Sequence, residues 1–330
     1  MALTMQEEDM GDTFYMESID DNNVVTFDSN TWLGSIGTRK ANVYLKRGRN
    51  KMVLSDVVSI TLNAGDRLYF INEGTYITKS NSSNLAPLFT TDGRFNLGGD
   101  LCKFMWGTYN TYRNYGCFRL FLNAKVVDAS KLKIGVSHIF SSINTVVGIG
   151  QYVFSGLFLN CRLLETPPQL TDSSTVQLGQ SCYAEMFMKC ISLTTAPELP
   201  ATKLANHCYS FMFTTCTSLT TAPELPATTL KQYCYARMFE GCTSLSKSPI
   251  LKATKYVASA YSYIFNNCTN ISTITCLLEN IDGLNTDTYW VQGVADSGVF
   301  YKSPNVTMEE IQSTGTLIVP SGWEIKDYEG

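Results

Sequence analysis

Eleven cysteines and two histidines are the side chains of this sequence best suited to covalent or metal chemistry. The commonest cysteine interval is eight residues, as between Cys182 and Cys190, and no Cys-x-x-Cys pair occurs. This spacing does not match the close ligand pairs of structural zinc sites. A disulfide framework stays open if the protein is secreted, although the number of cysteines is odd. We favour a third interpretation, in which the periodic cysteines are small buried apolar side chains.

The two histidines do not indicate a general base. His207 stands 26 residues before Tyr233, in an otherwise repeating pattern, which is typical of a variable surface position. His138 precedes Ile139 and Phe140, which is typical of the edge of a core. We therefore do not expect a Cys–His pair that would support nucleophilic catalysis.

Paired carboxylates are equally uninformative about catalysis. Glu198 and Glu224 are 26 residues apart and have the same neighbours, so they are copies of one surface position and not an acid–base pair. The sequence contains no P-loop, GxGxxG or GxSxG motif. We expect no enzymatic activity, no cofactor and no metal site.

An internal repeat of 26 residues organises the middle of the chain. Cys182-Tyr183 recurs at Cys208-Tyr209 and Cys234-Tyr235, and the TTAPELPAT of residues 194–202 recurs unchanged at 220–228. A degenerate copy at 158–170 precedes its equivalent by 29 residues. Apolar residues in segments such as 205–214 have helical spacing, and prolines keep the following segments extended. The pattern predicts one helix-like element and one short strand in each repeat, within the range of leucine-rich repeats.

Repeating apolar positions predict the core of the stacked repeats, and repeating threonines predict its surface. The predicted repeat core comprises Phe158, Cys182, Phe187, Cys190, Leu193, Cys208, Phe213, Cys216, Leu219, Cys234, Phe239, Cys242, Leu245, Phe265, Cys268 and Ile271. The candidate binding surface comprises Thr194, Thr195, Thr220 and Thr221. The alternative is that threonine simply favours exposed strand positions. Exposed aromatic residues would be a better sign of binding, and the candidates are Tyr112, Tyr115, Tyr289 and Trp290.

The wording of the repeats resembles a known family. Residues 234–245 read CYARMFEGCTSL, which is similar to the repeat of the BspA-like leucine-rich-repeat surface proteins of Bacteroides type. The resemblance covers about residues 117–276, and weaker similarity extends to GDRLYF at 65–70 and PSGW at 320–323. Membership of this family implies adhesion or protein–protein contact and no shared catalytic site.

These observations predict an α+β fold. We expect an N-terminal β-rich domain, either a sandwich or an open barrel, then a short leucine-rich-repeat solenoid and a small C-terminal cap. The predicted divisions are residues 1–59 (a β-rich segment that could attach the protein), 60–116 (a β-rich module), 117–276 (the solenoid) and 277–330 (the cap). Strands are predicted at 24–27, 41–45, 57–62, 67–71 and 75–78, and 101–106 is predicted as a short helix or strand.

Composition argues against nucleic acid as a partner and against a membrane-spanning segment. The net charge of −4 leaves no basic surface for a nucleic-acid backbone. No apolar run reaches the ~18–20 residues that span a bilayer. Residues 1–20 include Glu7, Glu8 and Asp9 and lack the apolar region of a secretory signal.

The sequence therefore favours a non-catalytic structural or recognition protein on a bacteriophage virion surface, as a head decoration, fibre or tail component. The alternative is a bacterial cell-surface or secreted adhesin. Expected partners are virion neighbours or a protein or glycan of the host surface, and association with further copies of the chain (a homo-oligomer) is left open.

Overall fold

The structure is a computed structural model that describes residues 10, 12–27, 42–48, 50–54, 59–71, 89–106, 117, 119–135, 148–171, 174–280, 284, 289–313 and 318–330. The elements before the repeats are β1 (Tyr15–Ser18), β2 (Asn23–Thr26), β3 (Asn42–Arg47), β4 (Asn50–Leu54), β5 (Ser59–Leu62), β6 (Arg67–Ile71), β7 (Thr90–Thr91), β8 (Phe95–Asp100) and α1 (Leu101–Trp106). They are followed by β9 (Lys131–Ile134), β10 (Gln169–Leu170), β11 (Lys247–Leu251), β12 (Thr273–Cys276), β13 (Val299–Lys302), α2 (Met308–Ser313) and β14 (Glu324–Asp327).

The N-terminal strands form a seven-stranded mixed sheet and a three-stranded sheet. The larger has the order β10-β9-β8-β1-β6-β3-β4 and the smaller the order β5-β2-β7. β1 pairs antiparallel with both β6 and β8. Met16 and Ser18 of β1 are buried while Tyr15 and Glu17 are half-buried, so one face of the strand packs on the core. The strands predicted at 24–27, 41–45, 57–62 and 67–71 overlap β2, β3, β5 and β6, and 75–78 lies outside the described residues.

The seven-stranded sheet continues from the N-terminal strands into the repeats. β8 pairs parallel with β9, and β9 pairs parallel with β10. The Phe14 ring lies 6.3 Å from the Phe121 ring, between centroids, so the two regions share one core. An ion pair of 2.8 Å joins Lys133 to Asp12 across the junction. The N-terminal strands thus close the first end of the repeat stack.

The predicted α+β class with a leucine-rich-repeat solenoid is wrong. The structure is nearly all sheet and turn, with 4% helix and 26% strand, and both α1 and α2 lie outside the repeats. The predicted helical segment 205–214 is a series of tight turns instead. Met212 N donates to Tyr209 O at 3.2 Å, and Thr214 N donates to Phe211 O at 3.1 Å, each three residues back. His207 (57°) and Phe211 (60°) have positive φ, which an α-helix of L-residues does not accommodate.

The remaining amides of each turn segment bond to the next repeat. Tyr209 N donates to Cys234 O at 3.0 Å, and Phe211 N donates to Ala236 O at 2.9 Å. Successive amides therefore alternate between their own turn and the neighbouring repeat. Because a buried amide without an acceptor is costly, each repeat is satisfied only when the next one stacks on it.

The C-terminal end of the stack is closed by a parallel sheet. β11, β12, β13 and β14 lie in that order. Lys302, only 8% exposed, pairs with Asp327 of the last strand. Trp323 Nε1 donates to Ala295 O at 2.8 Å, and Trp290 packs edge-on against Phe300 with centroids 6.2 Å apart. No helix in the described ranges is long and apolar enough to cross a membrane.

Candidate functional site

The inward side of the turn segments consists of continuous columns of identical or similar side chains. The residues predicted as repeat core are all buried, and each is 0% exposed. One column stacks rings with centroids 5.4–5.9 Å apart, and its members are Phe121, Phe158, Phe187, Phe213, Phe239 and Phe265. A second column, Phe154, Tyr183, Tyr209, Tyr235 and Tyr261, stacks in the same way at 5.3–6.1 Å. These rings form the interior of the stack.

A column of thiols runs beside the phenylalanines. The Cys190 thiol donates to Phe158 O at 3.2 Å, the Cys216 thiol to Phe187 O at 3.0 Å, and the Cys242 thiol to Phe213 O at 3.1 Å. Cys161 and Cys268 repeat the contact, with acceptors Phe121 O and Phe239 O at 2.9 Å. Each phenylalanine carbonyl that receives a turn amide, such as Phe187 O from Cys190 N, has a second lone pair, which the thiol uses.

These thiols are poor nucleophiles. None of the eleven cysteines forms a disulfide bond, and all are buried. Burial raises the pKa of the Cys216 thiol, and burial together with the neighbouring thiols Cys182 and Cys234 raises the pKa of Cys208. The pKa of Cys276 is raised by burial to about 12. Because the thiolate is the reactive species, none of these three groups can attack a substrate at neutral pH.

The other described candidates for catalysis have contacts of their own. His207 stacks on Tyr233 with centroids 4.6 Å apart, and partial burial lowers its pKa. His138 lies outside the described residues. Glu198 and Glu224 are both exposed, and Glu224 pairs with Lys252 at 3.2 Å. The described part of the chain contains no group of three or more potential metal ligands.

The candidate threonine surface is exposed, but some of its threonines are hydrogen-bonded to one another. Thr194, Thr195, Thr220 and Thr221 are all exposed, and Thr195 forms a parallel bridge with Thr221. The Thr220 hydroxyl and the Thr220 amide both donate to Thr194 O at 3.2 Å. This hydroxyl therefore links neighbouring repeats, which weakens its assignment to ligand binding and supports the structural alternative.

A second candidate surface lies on the outward side of the turn segments, away from the buried columns. Three rows of residues with positive φ run along the stack, spaced four residues apart within each repeat, and we call them the turn face. The first row is Tyr152, Ser181, His207, Tyr233 and Ser259; the second is Gly156, Glu185, Phe211, Arg237, Tyr263 and Tyr289; the third is Asn160, Lys189, Thr215, Gly241, Asn267 and Gly293.

The second row of the turn face places an arginine between aromatic rings. The Arg237 guanidinium carbon lies 3.9 Å from the Tyr263 centroid and 5.6 Å from the Phe211 centroid. Two contacts of 3.1 and 3.0 Å hold Arg237 Nη1 against the Glu240 carboxylate, which also accepts from Asn266 Nδ2 at 3.0 Å. Arg237 keeps 34% of its side chain exposed. The result is a fixed cationic and aromatic cluster at the surface.

The cluster ends in an exposed tyrosine. The Tyr289 ring lies 5.4 Å from the Tyr263 ring, between centroids, and Tyr289 is 52% exposed. Trp290, the other described aromatic candidate, is only 1% exposed and belongs to the core. Tyr112 and Tyr115 lie outside the described residues. Of the two candidates that the structure describes, only Tyr289 is exposed.

The sequence prediction missed the rest of the turn face. A signal was present, because Glu185, Phe211, Arg237 and Tyr263 differ in type while the columns on either side repeat. Glycine at 241 and asparagine at 267, both in the third row, are residues that favour left-handed backbone.

Comparison with known proteins identifies no relative of this chain. No family model matches the chain, and no curated protein or solved structure is significantly similar to it. The resemblance to BspA-like proteins therefore stays a prediction.

Proposed function

We propose that this chain is a non-catalytic recognition protein that contacts other proteins through the turn face. The observation that carries the proposal is the row formed by Phe211, Arg237, Tyr263 and Tyr289. Tyrosine and arginine are the residues most enriched at the energetic centres of protein interfaces. Because neighbours already hold these side chains in place, little rotamer freedom would be lost on binding.

Stability alone does not account for the large side chains of the turn face. A left-handed conformation costs a non-glycine residue about 1–2 kcal/mol. Stacking of two aromatic rings returns only ~0.5–1.5 kcal/mol beyond burial, so the left-handed His207 and Tyr233 pair gains little or nothing. Glycine fulfils the backbone requirement at Gly156 and Gly241 of the same face. Large side chains held in an unfavourable backbone conformation support a role outside folding.

The free thiols support assembly inside a cell and, with it, the virion component over an exported adhesin. Proteins that mature in oxidising surroundings usually carry disulfides, whereas none of the eleven cysteines here forms one. A head decoration, fibre or tail protein is assembled in the cytoplasm, where thiols stay reduced. The second candidate, a cell-surface adhesin, is favoured by the resemblance of residues 234–245 to the BspA-like repeat.

Mass spectrometry separates the two candidates. Extracellular particles purified by density gradient would be compared with peptides released by protease from intact cells of the same culture. We expect tryptic peptides from residues 232–247 in fixed stoichiometry with capsid proteins. Detection of these peptides only in the cell-surface fraction would contradict the virion component and favour the adhesin.

A further inference from the structure

The cysteines of the repeats stand in two inward columns that run the length of the stack. The first contains Cys182, Cys208 and Cys234, and the second contains Cys161, Cys190, Cys216, Cys242 and Cys268. Every member is 0% exposed. In the second column each thiol hydrogen is engaged by a phenylalanine carbonyl of the preceding repeat at 2.9–3.2 Å.

The folded stack protects these thiols in two ways. Burial keeps oxidants away from the sulfur atoms, and it raises the pKa of Cys190, Cys216 and Cys242, so that very little thiolate forms. Thiol–disulfide exchange requires that a thiolate attack a disulfide sulfur. Oxidation of the native protein therefore requires the stack to open first.

The unfolded chain has the opposite property. Four pairs of cysteines, Cys182–Cys190, Cys208–Cys216, Cys234–Cys242 and Cys268–Cys276, are each separated by only eight residues, and the first three pairs join the two columns. Short loops close at the lowest entropic cost, so these pairs would form disulfides before more distant ones. In the native repeat the same eight-residue segment runs across the stack, and every second amide, such as Tyr209 N, bonds to the next repeat. A disulfide that joined the two ends of the segment would prevent this arrangement.

We infer that the repeat stack forms only while its thiols are reduced and is afterwards closed to thiol oxidants, so that folding must precede any exposure to oxidising surroundings. The chemistry is disulfide formation by an oxidised thiol compound such as glutathione disulfide. Two protein thiols lose two protons and two electrons and form one S–S bond, and the glutathione disulfide takes up both to give two molecules of reduced glutathione. The inference concerns the packing of the repeats, so it can fail while the turn-face proposal stands.

The test compares the full chain in three treatments. Native protein is incubated with glutathione disulfide; urea-unfolded protein is incubated with glutathione disulfide and then freed of urea; a third sample is unfolded and refolded with reduced glutathione. We expect native thiols to react at least about a hundredfold more slowly than unfolded ones, because a rise of two pKa units removes that much thiolate. Refolding yield should be at least about tenfold lower after oxidation than with reduced glutathione.

A matched variant identifies the pairs that block folding. Ala260 occupies the first-column position in the next repeat and is 0% exposed, so alanine is compatible with that site. The variant Cys182→Ala, Cys208→Ala, Cys234→Ala lacks the three eight-residue pairs that join the two columns and keeps only Cys268–Cys276. It should recover most of its refolding yield after oxidation. Two results would overturn the inference: native thiols that react as fast as unfolded ones, or oxidised wild-type chain that regains the native circular dichroism and gel-filtration profile.

Discussion

Phe211 and Phe213 lie two residues apart in one turn segment, but they belong to different regions of the molecule. Phe213 is 0% exposed and stacks between Phe187 and Phe239 at 5.5 and 5.7 Å. Phe211 has a φ of 60°, is partly exposed and borders Arg237 on the turn face. Both amides donate to the next repeat, Phe211 N to Ala236 O and Phe213 N to Met238 O, each at 2.9 Å. The two residues therefore differ in backbone conformation, with a positive φ at Phe211 and not at Phe213.

The difference explains why one side of the repeat is uniform and the other varied. An inward side chain must match the same position of both neighbouring repeats, so a column holds mostly one residue type. An outward side chain faces solvent on one side and tolerates change. We therefore assign stability to the inner columns and recognition to the turn face. Three stability measurements and one measurement of particle incorporation separate these assignments.

The largest expected effect is a loss of stability at high pH. An unfolded thiol has a pKa of about 8.5, and burial raises the folded pKa of Cys268 and Cys276 to about 12. Between these values the unfolded chain binds fewer protons than the native protein. The free energy of unfolding should therefore be constant below pH about 9 and fall above it, by ~1.4 kcal/mol per pH unit for each thiol that stays neutral.

Urea unfolding between pH 7 and 11, with a reductant present, measures this slope. The variant Cys208→Ala provides the control, because it removes one buried thiol and should make the slope shallower by about one proton. A free energy of unfolding that stays constant to pH 11 would show that the thiols are not held in a buried, neutral column.

The next-largest effect is a difference in stability between variants of Phe213 and Phe211. Phe213→Ala should lower the free energy of unfolding by ~3–5 kcal/mol, because it leaves a cavity in a continuous column. Phe211→Ala should change it by no more than about 1 kcal/mol, since the side chain is partly exposed. Urea unfolding of the two variants at one pH is a sufficient comparison. Equal losses would mean that the turn face belongs to the core.

The smallest effect tests the left-handed backbone itself. A Cβ at residue 241, where φ is 72°, would lie no closer than 3.6 Å to another atom, so Gly241→Ala changes only the backbone preference. We expect a loss of about 1 kcal/mol. Thr215→Asn should stabilise by ~0.5–1 kcal/mol, because Asn267 and Asn160 occupy the same row and asparagine tolerates this conformation. Thermal unfolding of both variants checks the signs, and the same sign for both would contradict the turn geometry.

The sequence predicted the inner columns but not the backbone that carries them. Residues 208, 209, 212, 213 and 216 are apolar and buried, and this spacing is compatible with a helix of 3.6 residues per turn. It is equally compatible with turns that repeat every four residues, and only the positive φ at His207 and Phe211 distinguishes the two. Arginine and phenylalanine rarely adopt a positive φ, so local residue preferences predicted a helix where the structure has turns.

At the N-terminal end, the pairing of strands that are distant in sequence could not be predicted. The strand at 67–71 was recognised from its β-branched and aromatic residues, but its pairing with β1, some 50 residues earlier, has no local signal. The parallel pairing of β8 with β9 depends on the repeats themselves and was also missed. Periodicity identifies neighbours one repeat away, and it contains no information about neighbours outside the repeats.

The most direct test of the account is the incorporation of turn-face variants into purified particles. Phe211→Ala with Tyr263→Ala removes both rings beside Arg237, and Thr195→Ala with Thr221→Ala makes a matched change on the threonine surface. Mass spectrometry of particles assembled with each variant gives its ratio to capsid protein. We predict at least about a tenfold loss for the turn-face variant, equivalent to ~1.4 kcal/mol, and a wild-type ratio for the threonine variant. A wild-type ratio for the turn-face variant, with loss for the threonine variant, would contradict the account.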